Sequence, residues 1–199
     1  MSPITGCNHL KNGNSLGHRS LLRALPIFLC LFAPASALSA GPDEYTLKFV
    51  YLYNFTKFIN WEAESTQFPE APFHICVIGQ LPGNEPLDVL QTKRSKNRPI
   101  TTGRYKSSSE TQDCHILFIT KSIRRSEVNQ ILAQPHKNTI VVGETRDFAR
   151  DKGDIGFVID DEQHVRVEIN LENTHRKNIT IRAPLLEIAR KIYRTEDNG

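Results

Sequence analysis

The chain has 199 residues, with 25 Lys and Arg against 22 Asp and Glu and 4 cysteines. Residues 1–40 hold Lys11, Arg19 and Arg23 and no acid, so the remainder balances 22 basic residues against 22 acidic ones. A neutral domain has no net field to draw nucleic acid or anionic lipid, and the basic cluster Lys93, Arg94, Lys96 and Arg98, without interleaved aromatics, reads as a solvated loop.

The first element is a leader. A basic start is followed by the apolar run Ala24 to Ala33 and then by Ala35-Ser36-Ala37 and Leu38-Ser39-Ala40. That order is the pattern of a secretory signal peptide. The run is too short to span a bilayer, which needs ~20 apolar residues, and Pro26 and Pro34 oppose a buried helix. Residues 1–40 are therefore expected to be a signal peptide cut after Ala37 or Ala40, and residues 41–199 one domain.

After the leader, Asp43-Glu44 opens a helix predicted to reach Trp61. It is apolar on two sides: Leu47, Val50, Tyr51, Phe58 and Trp61 on one, Tyr45, Phe49, Leu52 and Ile59 on the other. A surface helix shows one such stripe. Here one side is expected to lie on a sheet and the other under a second helix or a partner chain, which makes Tyr45, Phe49, Leu52 and Ile59 interface candidates.

Three short, nearly continuous apolar runs read as buried strands: Phe73 to Gly79, Cys114 to Ile119 and Thr139 to Gly143. Between them lie short helices at Leu87 to Leu90 and Glu127 to Ala133, and an edge strand with Pro99. Ile155 to Ile159 and Val165 to Ile169 flank a polar turn as a β-hairpin, and Leu185, Ile188, Ala189 and Ile192 form the stripe of a C-terminal helix begun by Pro184. The alternation predicts an α/β fold: a single domain with a mostly parallel mixed sheet flanked by helices, then a C-terminal β-hairpin and helix.

Two cysteines remain after the leader, Cys76 and Cys114. An even pair in an exported chain reads as a disulfide. Two cysteines without clustered histidines make a poor zinc site, and no metal or cofactor is expected. Gly-rich phosphate loops, G-x-S-x-G and H-E-x-x-H are absent from the sequence. Cys114-His115 is a poor nucleophile pair, because strand neighbours point to opposite faces. The residues thus read as a binding protein and not an enzyme. Arg166, Glu168 and Asn170 share one face of the hairpin strand and are candidates for a polar recognition strip.

Several segments carry a resemblance. Glu44-Tyr45-x-Leu47-Lys48, Tyr51-Leu52-Tyr53-Asn54-Phe55-x-Lys57-Phe58, Ile75-Cys76-Val77-Ile78-Gly79, Cys114-His115-Ile116-Leu117-Phe118-Ile119, Val165-Arg166-x-Glu168-Ile169-Asn170 and Leu185-Leu186-x-x-Ala189-Arg190 follow one another as in the YfiR family of bacterial periplasmic proteins, which the chain resembles from Asp43 to Tyr193. Lys152-Gly153 stands where that family usually has Gly-Gly, and Lys177-Asn178 where it usually has Ala-Gly. The resemblance implies a mixed α/β fold, a dimer, and a periplasmic repressor without catalysis. Such a repressor binds the sensor domain of an inner-membrane diguanylate cyclase and lowers cyclic di-GMP signalling and biofilm formation. An OmpA-like outer-membrane lipoprotein sequesters it. The alternative reading is a sensor that holds a small ligand between hairpin and sheet and reports to another membrane partner.

Overall fold

The computed structural model describes residues 43–61, 71–83, 85–111 and 113–194, all within one compact unit, Ala40–Gly199. The expected signal peptide and its cleavage sites at Ala37 and Ala40 lie outside the described residues.

Helix α1 (Glu44–Phe58) starts where the Asp43 carboxylate accepts from the Thr46 N–H at 2.9 Å and the Thr46 hydroxyl at 2.8 Å. Glu44 in the first turn and Lys57 in the last suit the helix dipole. The helix ends earlier than its apolar pattern predicts. Ile59 turns extended, and β1 (Ile59–Trp61) pairs antiparallel with β9 (Ile179–Ile181). A β-branched residue at the exit favours this change of conformation.

The main sheet is built from β2 (Phe73–Ile78), β3 (Arg94–Ser95), β4 (Arg98–Tyr105), β5 (Ile116–Ile119), β6 (Ile140–Gly143), β7 (Ile155–Ile159), β8 (Val165–Asn170) and β10 (Ala189–Tyr193). Its order is β10-β8-β7-β6-β5-β2-β4-β3. The run β4-β2-β5-β6-β7 is parallel, the hairpin pair β7/β8 and the edge pair β3/β4 are antiparallel, and β10 returns parallel to β8. The helices are α2 (Glu85–Gln91), α3 (Arg125–Leu132), α4 (Phe148–Asp151), α5 (Leu171–Arg176) and α6 (Ala183–Glu187).

Alternate residues of the central strands feed two apolar cores, as burial on both faces requires. Ile75, Val77, Ile116, Phe118, Ile140 and Val142 pack under α1, α2 and α6. Cys76, Ile78, Leu117, Ile119 and Val141 pack under α3 and Phe148 of α4. An aromatic cluster fastens α1 to the first core: Phe49 meets Phe118 edge-on at 6.1 Å, and Phe55 stacks on Phe157 at 6.0 Å. Such pairs add ~0.5–1.5 kcal/mol beyond area burial.

The chain end corrects the sequence reading. The C-terminal helix is only α6, and Ala189–Tyr193, assigned to its stripe, is strand β10. A short apolar run fits both periods. The free side of β8 decides between them, because an open strand edge offers unpaired N–H and C=O groups.

Candidate functional site

The carboxyl ends of β2, β5 and β6 meet the start of α1. Lys48, only 1 % exposed, pairs with Glu44 of its own helix and with Glu144 just past β6. Glu144 also accepts from the Tyr45 hydroxyl and from the Lys121 backbone N–H, each at 3.0 Å. Burial pushes the Glu44 carboxyl up, but Lys48 and Lys121 together hold it below its ordinary range. Burial, with Glu144 beside it, pushes the Tyr45 phenol well up, so it stays a donor. Sequence reasoning missed Lys48, although its helical spacing from Tyr45 and Leu52 puts a cation on their stripe. Its partner Glu144, distant in the chain, carried no such signal.

The disulfide lies on the other face of the sheet, toward the amino end of β5. Cys76 of β2 and Cys114 ahead of β5 are bonded, with Cα atoms 5.9 Å apart, within the range such a bridge needs. His74 places a ring nitrogen within 4.8 Å of both sulfurs, but sulfurs bonded to each other are not thiolates and do not ligate as such. Burial lowers the His74 pKa, and its Nε2 meets the Tyr105 hydroxyl at 3.1 Å. His115 points to the opposite face. Its Nδ1 accepts the His74 backbone N–H at 3.0 Å, and its ring sits 5.2 Å from Phe73 and 5.9 Å from Trp61. Cys114 and His115 are thus separated by the strand.

The interface candidates are placed differently from expectation. Tyr45, Phe49, Leu52 and Ile59 are buried in the chain's own core. The sheet covers this face, so no partner chain is needed to shield it. On the other face Leu47, Tyr51 and Phe58 are half-buried against the same core and Val50 is exposed. Trp61 is buried in β1.

The three strip residues are also engaged within the chain. Arg166 Nε donates to Asp160 Oδ2 at 2.7 Å across the hairpin, and Glu168 accepts from the Tyr193 hydroxyl of β10 at 3.0 Å. Asn170 is buried. Its amide donates to the Ala149 carbonyl at 2.8 Å, and its carbonyl caps α5 through the Asn173 N–H at 2.9 Å. Only Arg166 keeps an exposed side chain.

The basic cluster is corrected in part: Lys93, Arg94 and Lys96 are exposed as a solvated loop would have them, but the segment is the β3/β4 hairpin and its fourth residue is buried. Lys96 donates to the Ile59 carbonyl at 2.8 Å and to Asn60 at 2.9 Å. Arg98 is buried, its guanidinium 3.9 Å from the Phe73 ring centre. Nor is there room for a ligand between hairpin and sheet, because β7 and β8 are themselves strands of that sheet. Sequence reasoning also missed Asp154. It is fully buried, accepts from the Val141 N–H at 2.7 Å and pairs with Lys177. Burial raises its pKa, against the pull of Lys177.

These features define a doubly wound α/β domain with a structural disulfide and a charged clasp at the carboxyl ends of its strands. The chain belongs to the family described as YfiR/HmsC-like, which it matches over residues 45–190. No curated protein matches it. Among solved structures it is similar to an ABC domain in complex with L-Trp from Streptococcus pneumonia, at 12 % identity and a TM-score of 0.44, covering 61 % of this chain and 55 % of that one. It is also similar to a conserved domain protein from Vibrio cholerae, at 14 % identity and a TM-score of 0.42, covering 60 % of this chain and 54 % of that one. The chain spans just over half the length of each.

Proposed function

We propose that this protein is a periplasmic, non-catalytic regulator that binds the sensor domain of an inner-membrane diguanylate cyclase and holds the cyclase inactive. The observation that carries this reading is the family match across residues 45–190. In this reading residues 1–40 are a signal peptide, cut after Ala37 or Ala40, that delivers the domain to the periplasm. A pair of cysteines joined as Cys76–Cys114 suits that oxidising compartment. The protein works as a homodimer, and an OmpA-like outer-membrane lipoprotein releases the cyclase by sequestering it. The site chemistry supports binding over catalysis: the histidines nearest the disulfide are held by ring packing and by backbone and tyrosine contacts.

The test is direct. Deleting the gene should raise cellular cyclic di-GMP, and the purified protein should capture the periplasmic sensor domain of a membrane diguanylate cyclase from the same cell. Unchanged cyclic di-GMP together with no capture of that domain would overturn the proposal.

A further inference from the structure

Asp154 is a buried acid that the regulatory reading does not use. It stands just ahead of β7 with no exposed surface. Its Oδ2 accepts from the Val141 N–H at 2.7 Å and pairs with Lys177 Nζ. Its Oδ1 is buried and has no hydrogen-bond partner among the described residues. A carboxylate placed so gives up water around both oxygens and regains partners at one, and burial of that kind disfavours the charged form.

Lys177 is the far end of the same arrangement. It lies in the turn Lys177–Asn178, between α5 and β9, and its Nζ donates to the Thr139 carbonyl at 3.0 Å as well as to Asp154. The turn is thereby fastened to the amino end of β6. The Lys177 side chain is 19 % exposed, so its ammonium can reach water without any movement of the sheet. It opens on a depression of about 360 Å³ that gives protons a way to the pair. Other charges face this opening. From α4 and the link after it come Asp151, paired with Arg125 at 2.7 Å, and the exposed Lys152. From α5 comes Arg176, paired with Glu172 at 2.7 Å. From the link ahead of β6 come Lys137 and His136, whose Nε2–H donates to the Ile131 carbonyl at 2.8 Å. His175, beside the turn, is exposed.

We propose that Asp154 and Lys177 form an acid-released latch, which holds the α5–β9 turn to β6 while Asp154 is ionised and frees the turn, with the sheet intact, once Asp154 is protonated. The direction follows from the geometry. Burial raises the Asp154 pKa above the ordinary 3.8 against the pull of Lys177. An acid raised in this way binds its proton more readily folded than unfolded, so protonation favours the folded sheet while it abolishes the ion pair. A charged His136 would oppose that protonation, but burial holds its pKa below the ordinary 6.5. The inference goes beyond the cyclase reading and does not depend on it.

The test is hydrogen exchange of the exported protein purified from the periplasm, followed at the Lys177 and Asn178 amides. Both are bonded within the turn, to the Thr174 and His175 carbonyls. After correction for the intrinsic rate, these amides should exchange at least tenfold faster at about pH 4.5 than at about pH 7.5, while those of β5 and β6 keep their protection. Asp154→Asn, which cannot ionise, should exchange fast at the turn at both pH values. Lys177→Ala removes the latch from its exposed end and should do the same, so the prediction stands on it alone where Asp154→Asn does not fold. Equal turn protection at both pH values in the folded parent would overturn the latch. So would a folded variant that keeps the parent's pH dependence, or loss of protection in β5 and β6 together with the turn.

Discussion

Lys48 and Glu144 form a buried ion pair at the head of α1, with Glu44 and Tyr45 completing the set. Breaking a buried pair by removing one partner leaves an uncompensated charge, typically at a cost of ~3–5 kcal/mol. Lys48→Ala should therefore lower stability by about 3 kcal/mol in chemical denaturation, while Lys57→Ala, half-buried over the Tyr53 ring in the last turn, should cost far less. Asp160 shows the exposed counterpart. The His164 backbone N–H, then Arg166, hold its carboxyl at about 2, below the ordinary 3.8. A depressed carboxylate contributes stability that is present above the ordinary value and is lost as pH falls through the folded one. Asp160→Asn should accordingly melt earlier than the parent at neutral pH. The two melting curves should converge as pH falls from about 4 to about 2.

At the scale of the element, α1 keeps the two apolar stripes of its sequence, and the structure decides which of them faces the sheet. Both stripes are present, but the sheet takes Tyr45, Phe49, Leu52 and Ile59, and α2 and α6 flank the helix. The partner that covers the inward face is thus within the chain. Phe49→Asp or Leu52→Asp should unfold the domain in thermal melting, because each buries an unpaired charge among Phe118, Phe157 and their neighbours. A variant that melted normally and only lost association would show that the face is an interface after all. The family's usual glycines show the same local logic. Gly153 is kept where a Cβ would strike the Phe148 ring. Asn178 replaces the other and takes φ +54°, a conformation that asparagine tolerates better than most residues.

For the whole molecule, the disulfide joins β2 to the start of β5 across a sequence separation of 38. These strands are the centre of the sheet and flank the point where strand order reverses. Closing a loop of this size removes freedom from the unfolded chain, worth ~3–4 kcal/mol in the chain-entropy account. The double variant Cys76→Ser with Cys114→Ser should lose about that much stability in chemical denaturation, and thiol titration of the unfolded, unreduced parent should find no free thiol from the pair.

What the sequence determined by itself follows from local periodicity. Short continuous apolar runs rich in β-branched residues at Phe73 to Ile78, Ile116 to Ile119 and Ile140 to Gly143 read as strands covered on both faces, and their spacing by helices points to a mostly parallel sheet. The Cys76–Cys114 pair was legible for a chemical reason, two cysteines in a chain read as exported. Tertiary structure decided the rest. Ala189–Tyr193 became a strand because β8 had a free edge, and Ile59–Trp61 because β9 lay alongside. Arg98 and Lys48 were buried because an aromatic ring and a carboxylate, remote in sequence, arrived to receive them.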